Sequence, residues 1–254
     1  MDFLHAAISF ATGLAAGLIN SIAGGGTLLT FPVLRWLGLN SITANATSTV
    51  ALWPFTLGGV FGYRRELHSL NRRLLSLAVP SVLGGFVGAL LLRLTPSSVF
   101  DRMVPYLILF ATLLFMAQDP IQKILNTSHP EAHKSTSWFI GAMFFQFAVG
   151  MYGGYFGAGI GIMMLAALSI LGLTDIHQMN GFKTILGGII NFVAALYFMA
   201  HSMVYWPDVG VMAVGSILGG YFGAGLARKI GRTAVRRIVV LVGFAMAASL
   251  FLKK

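Results

Sequence analysis

The sequence predicts an all-α integral membrane protein: a helical bundle of two inverted repeats, each with a broken, Gly-rich, re-entrant-like segment. Three observations predict it. Of 254 residues, 57% are hydrophobic and 9% charged, with a mean hydropathy of +0.82, where soluble domains carry roughly 25% charge. One pattern of apolar segments occurs twice, about 135 residues apart. The 17 Lys and Arg are spread unequally over the intervening loops, and that distribution orients a chain in a membrane. A water-soluble globule is excluded, and apolar stretches running from Phe3 to Leu252 leave no room for a second, soluble domain. A net charge of +10 and pI near 10.3 would suggest nucleic acid in a soluble protein. Here the basic residues lie in short loops between apolar spans, so no nucleic-acid partner is expected. Cysteine is absent, which excludes disulfides, thiolate metal sites and a cysteine nucleophile.

The chain opens on MDFLHAAISF, with no Lys or Arg before the apolar run, unlike a cleavable signal peptide, so the first segment is expected to stay. A broken segment at about residues 3–37 is followed by spans near 43–62, 74–94 and 99–117. The polar stretch 118–136 reads as a cytoplasmic linker. A second broken segment at about 137–173 then precedes spans near 178–200, 206–227 and 234–252. The predicted organisation is therefore a first transmembrane repeat at 1–117, the linker at 118–136 and a second repeat at 137–254. PSVLGGFVGALLLR (80–93) and GSILGGYFGAGLAR (215–228) match at 8 of 14 positions, and LGL occurs at both 37–39 and 171–173. Such recurrence is what an internal repeat leaves in a membrane sequence.

Orientation follows from counting. If each broken segment returns to the side it entered from, three full spans remain per half, an odd number that inverts the second half. Basic residues 64, 65, 72, 73, 123, 134, 183, 228, 229, 232, 236 and 237 then lie on or toward the cytoplasmic side, 12 against the 5 at 35, 93, 102, 253 and 254. If each broken segment crosses once, the repeats are parallel and the count is 8 to 9. The positive-inside rule selects inversion, with both termini extracytoplasmic. Two short crossings per broken segment have the same parity, so the charge count leaves that variant open.

The broken segments carry the chemistry. The first holds Gly24, Gly25 and Gly26 ahead of Pro32; the second holds Gly157, Gly159 and Gly161. Each glycine costs a helix about 1 kcal/mol against alanine, and a break in a bilayer frees backbone groups that must be buried in protein or line a wet cavity. Matched breaks in inverted repeats mark a substrate site, where half-helix N-termini offer partial positive charge to an anion. Close helix packing explains instead the GxxxG pairs at 13–17, 84–88, 150–154 and 219–223.

SIAGGGTLLTFPVL (21–34), LGLNSITANATSTVAL (37–52), FGAGIGIMML (156–165) and NGFK (180–183) together resemble the sulfite exporter TauE/SafE family of membrane transporters. The resemblance spans nearly the whole chain in the family's two-module order. It implies a permease of the bacterial inner membrane for small sulfur-containing anions such as sulfite, sulfoacetate or related sulfonates.

Polar residues around the breaks fit that implication independently. Asn20 stands ahead of the first break. Asn45, Thr47, Ser48 and Thr49 open the span after it, as Asn180, Lys183 and Thr184 open the equivalent span, and their donors suit anionic oxygens. Lys183 has two readings, anion contact and snorkelling to the interface. Thr56 and Asn191 share an equivalent mid-span position and fit either interhelical bonding or substrate; Gln146 is equally open. All seven carboxylates fall at segment ends or in loops, so neither a cation site nor a carboxylate relay is expected. A monoanion leaving the cell moves down the inside-negative potential, by ~2.3 kcal/mol per 100 mV. Export by alternating access or gated uniport, with no metal or cofactor and with only the anion and membrane lipid as partners, is the expectation. Asp175 and His177 offer proton coupling or a helix cap. His129 and His133 are spaced like metal ligands but flank Pro130 in the polar linker, which reads as a solvated loop. Import of a similar organic anion is the alternative, and an intramembrane enzyme a further one. The oligomeric state is not written in the residue types.

Overall fold

Every apolar run becomes a helix, because a segment surrounded by hydrocarbon satisfies its backbone only within itself. The computed structural model describes residues 2–22, 25–62, 75–117, 136–170, 173, 176–230 and 232–252, without the side chains of 21, 22, 57–62, 136–138, 169, 170, 176–178, 180, 223–230, 232–236 and 238. Among these residues the first half comprises α1 Phe3–Ile22, α2 Thr27–Trp36, α3 Ser41–Gly62, α4 Ala78–Leu94 and α5 Ser97–Met116. The second comprises α6 Thr136–Tyr155, α7 Ile160–Ile170, α8 Ile176–Ala200, α9 Trp206–Ile230 and α10 Arg232–Leu252. Phe3–Asn20, Ser97–Met116 and Gly181–Ala200 are each long and apolar enough to cross a membrane unaided. The fold class is all-helical, as expected.

Each broken segment divides unequally. The 20 residues of α1 and of α6 rise about 30 Å, the thickness of the hydrocarbon core, whereas the 10 of α2 and 11 of α7 rise only about 15 Å. A spanning helix followed by a half-length one is the detail that sequence patterning did not contain. Local chemistry sets several ends. Asp2 Oδ1 accepts the His5 N–H at 2.7 Å and Asn40 Oδ1 the Thr43 N–H at 2.8 Å, both helix caps. Beyond α2, Gly38 turns left-handed at φ +98° and the Leu39 N–H closes on the Leu34 carbonyl at 3.1 Å, a Schellman ending. The Leu173 N–H makes the same bond to Leu168 at 3.1 Å, at the second LGL.

The halves interlock by exchanging partners. Helix α1 packs on α9 and α4 on α6; α9 lies also along α3, and α4 along α8. Glycine makes the first two contacts backbone to backbone. A Cβ added to Gly13 would lie 2.3 Å from the Met212 carbonyl oxygen, and one on Gly17 2.1 Å from that of Ser216. Gly84 and Gly88 meet Phe147 and Met151 in the same way, at 2.4 and 2.1 Å. Rising residue numbers on both sides make these pairs parallel. So is α3 with α9, where the Ser216 hydroxyl donates to the Ala51 carbonyl at 3.0 Å and Gly220 meets Phe55. Counterparts in the two halves run oppositely: Trp53 packs against Phe192 with the rings tilted by 32° and Thr56 meets Gly188 between α3 and α8, while Tyr106 meets Phe251 and Thr112 meets Gly243 between α5 and α10. Exchanging α1–α5 for α6–α10 maps this set of pairings onto itself.

Exposure is inverted relative to a soluble protein. Phe144, Tyr221 and Leu241 are 73%, 78% and 69% exposed, while Asn45, Thr47, Ser48, Gln146 and Asp208 are fully buried. That partition suits a hydrocarbon surrounding, in which polar groups gain by turning inward. Because lipid gives apolar faces no reason to associate, the glycine contacts must supply the attraction themselves. Substituting Gly219→Leu, whose Cβ would lie 1.9 Å from the Leu14 carbonyl oxygen, is expected to lower stability by about 3 kcal/mol or more. Gly210→Ala, with nothing within 4 Å, is expected to be neutral or to stabilise by up to about 1 kcal/mol. Thermal melts of the detergent-solubilised variants check both.

Candidate functional site

The first break is built from Asn20. Near the end of α1 its side-chain oxygen accepts the N–H groups of Gly25 at 2.8 Å and Gly26 at 2.7 Å, satisfying two donors that the interruption frees. Gly25 sits at φ +139°, backbone that disfavours any side chain, and the Phe115 ring of α5 fills the space where a Cβ would stand, 2.3 Å away. The Leu28 and Leu29 N–H groups return to the Gly25 and Gly26 carbonyls at 2.9 and 3.0 Å, starting α2.

The second break uses two left-handed glycines, Gly157 and Gly159, both at φ +81°. The Phe156 and Gly157 N–H groups close on the Tyr152 carbonyl at 2.9 and 3.2 Å, ending α6, and the Tyr152 hydroxyl donates to the Ala158 carbonyl at 2.8 Å. One break thus takes a side-chain acceptor and the other a side-chain donor. Position 159 rests against Ala111 and Leu114 of α5 at 3.6 Å, and Phe156 meets Phe31 of α2 edge-on at 5.7 Å between centroids. Ala111 and Phe115 are one helical turn apart. The two breaks therefore converge on one stretch of α5.

Several predicted residues come to this place. Asn45, fully buried, donates from Nδ2 to the Tyr155 carbonyl at 2.9 Å, and its Oδ1 has no hydrogen-bond partner among the described residues. The Lys183 stem covers Gly161 in the first turn of α7, its Cδ 3.3 Å from where a Cβ would be. Ser48 shares a 2.5 Å bond with Thr30, which itself donates to the Gly26 carbonyl at 3.2 Å. Two hydroxyls serve the frame instead: Thr47 accepts the Tyr205 N–H at 3.0 Å, and Thr49 donates back to the Asn45 carbonyl at 3.0 Å. Thr184 lies half-buried on α8. Gly24 and Asp175 lie outside the described residues, as do the side chains of Asn180 and His177 on α8.

Sequence patterning did not single out Phe31, Ala111, Phe115, Tyr152, Phe156 or Thr30. Tyr152 and Thr30 carried a usable signal, a hydroxyl four or five residues from a glycine break. The others have none, since their role is set by which helix lies beside the breaks. Asn191, ambiguous between bonding and substrate, places its Oδ1 3.9 Å from the Cβ position of Gly157, whereas its counterpart Thr56 donates within its own helix to Trp53 at 2.6 Å. Gln146 belongs to the α4–α6 interface, where Nε2 donates to Ser81 at 2.8 Å. Asp208, read from its position as a segment-end carboxylate, is fully buried, taking the Ser9 hydroxyl at 2.6 Å and facing His5 Nε2 at 2.9 Å. Ser9 bonds the carboxylate and not the imidazole, so this trio lacks the nucleophile–base contact of a serine hydrolase.

The family model described as sulfite exporter TauE/SafE matches residues 9–250. A Haemophilus influenzae protein named "Probable membrane transporter protein" is 28% identical over 245 residues, covering 96% of this chain and 93% of its own. The Escherichia coli K12 protein "Probable membrane transporter protein YfcA" is 28% identical over 244 residues, with 96% and 88% covered, and "Probable membrane transporter protein ORF9" of a Sinorhizobium species is 28% identical with 96% and 91% covered. No solved structure matches the chain. For the breaks, Asn20→Ala is expected to cost about 2 kcal/mol of stability by orphaning two N–H groups, and Tyr152→Phe about 1 kcal/mol by orphaning one carbonyl. Chemical denaturation in mild detergent reads the difference.

Proposed function

Because the chain belongs to the sulfite exporter TauE/SafE family of membrane transporters, we propose that it carries sulfite, sulfoacetate or a related sulfonate out of the bacterial cell through the inner membrane. The observation that supports this most is the meeting of the two breaks on α5, with Gly25 against Phe115 and Gly159 against Ala111. There the half-helices α2 and α7 begin, and helix N-termini favour anions through the partial positive charge of their first turns. Lys183 beside the start of α7 adds a full positive charge. Ser48, Asn45 and Asn191 complete the polar lining. Sulfite and sulfonates present several oxygens to such donors and need no cofactor to be recognised.

The halves are inverted copies, at 1–117 and 137–254 with a cytoplasmic linker between, and the opposite running of α3 and α8 and of α5 and α10 supports that reading. Both chain ends face the extracytoplasmic side. In its support, His5 of α1 bonds Asp208 of α9, Thr47 of α3 bonds Tyr205 beside it, and Ser41 shares a cleft with Leu250 of α10, so α1 begins and α10 ends at one end of the bundle. Glycine contacts lock α1 to α9 and α4 to α6 across the halves. Alternation of access is therefore assigned to the half-helices and to the α5–α10 pair that they touch, not to one half rocking against the other.

Flux of labelled sulfite and sulfoacetate through the purified protein in liposomes is the test. Uptake driven by an imposed potential without a pH gradient is the expected result, and Lys183→Gln is expected to weaken apparent anion affinity about tenfold or more. Flux that requires a pH gradient would bring Asp175, His177 and the His5–Asp208 pair into the mechanism. No flux of either anion would overturn the substrate assignment. For topology, single cysteines at Ser69 and Ser202 in this cysteine-free chain are expected to react from opposite faces; labelling of both from one face would rule out inversion.

A further inference from the structure

At the end of the bundle where α1 begins lies a cleft of about 310 Å³, lined by Arg35, Ser41, Asp101, Arg102, Val104 and Leu250. It is separate from the breaks: Arg35 belongs to the last turn of α2, Asp101 and Arg102 to the beginning of α5 and Leu250 to the end of α10. Its volume is at the small end of ligand sites, which run ~300–1,000 Å³. Its lining combines two arginines, an aspartate and a serine with two apolar side chains.

The charges in it are incompletely matched. Arg35 donates from Nη1 to the Leu39 carbonyl at 2.9 Å, and its Nη2 stands 3.8 Å from Asp101 Oδ1, an ion pair without a hydrogen bond. The Ser41 hydroxyl donates to the same Asp101 oxygen. Arg102 has no hydrogen bond or ion pair among the described residues. Arg35 and Asp101 are 34% and 48% exposed, so water screens their attraction and holds it weak. The cleft thus holds two guanidinium groups and one carboxylate, which faces Arg35 alone, leaving one positive charge over.

We propose that this cleft is a second anion site, a vestibule that holds a small organic monoanion of two or three carbons at the mouth of the pathway. The sulfonate or carboxylate head lies between Arg102 and Arg35, where planar guanidinium forks match paired oxygens. The short carbon chain packs on Val104 and Leu250. Asp101 is the resident counter-ion that the ligand displaces from Arg35, so the bound anion is held well enough to be collected and loosely enough to leave. The transport reading supplies only the class of ligand; the cleft's geometry stands without it.

The probe is ethanesulfonate, titrated calorimetrically into the full-length protein in uncharged detergent. Arg102→Gln is expected to weaken its binding about tenfold, and Asp101→Asn to tighten it about threefold by freeing Arg35. A purely structural role for the cluster would move both variants the same way, and that result, or isotherms unchanged by either, would overturn the proposal. Gly210→Ala, at a position with nothing within 4 Å, is expected to leave these two shifts intact. Stoichiometric displacement of ethanesulfonate by short-chain phosphatidylglycerol would make the cleft a lipid headgroup site and overturn the solute assignment. Absent liposome flux with the opposite shifts preserved would remove the transport reading and leave the cleft; normal flux with no such shifts would do the reverse.

Discussion

Backbone contact between α1 and α9 and between α4 and α6 is the constraint on which the remaining architecture rests. In hydrocarbon, apolar side chains gain nothing by leaving lipid for one another, so helices associate where small residues let their backbones touch. Gly13, Gly17, Gly84 and Gly88 of the first half and Gly154, Gly215 and Gly219 of the second do this work, with Cβ positions 1.9 to 2.5 Å from the opposing carbonyl oxygens. At that separation carbonyls lie within reach of Cα–H groups, whose weak hydrogen bonds add to dispersion. Both pairs join a helix of one half to a helix of the other. The chain is consequently one interlocked body, with α3 and α8 held between the pairs and the short helices seated beside them.

The breaks are affordable only within that frame. Three glycines adopt positive φ at 25, 157 and 159, and each interruption exposes donors and acceptors that lipid cannot satisfy. Asn20 answers the first with an acceptor and Tyr152 the second with a donor. The two devices are chemically opposite although each follows a 20-residue helix and precedes a half-length one. Lys183 stands beside the second break alone, its stem over Gly161.

On the proposed reading, an anion route through this bundle would have two electrostatic regions, one at the breaks and one at the Arg35–Arg102 cleft. The interior region relies on helix ends and a single lysine, where low dielectric strengthens each interaction. The outer region relies on full charges weakened by water. Weak, multiple holding sites favour passage over retention, because a site that binds too well does not release.

Composition alone made the protein a membrane bundle, and the spacing of apolar runs located the helices to within a few residues, because a hydrocarbon surrounding leaves the backbone no alternative to helix. Glycine runs announced the breaks because glycine holds a helix poorly and takes up the positive φ that an interruption requires. Asn20, Asn45, Ser48 and Lys183 were legible as polar residues beside those breaks. Their division of labour was not, since Thr47 and Thr49 look the same in sequence and are spent on Tyr205 and on the helix itself. Only the tertiary structure decided that the breaks meet on α5 at Ala111 and Phe115, that Asp208 is buried against Ser9 and His5, and that Arg35 and Arg102 face one cleft. Those relations join residues from 48 positions apart, as Ala111 and Gly159, to 203 apart, as His5 and Asp208, and they depend on which helices the glycines allow to touch, a property of paired surfaces that no single segment carries.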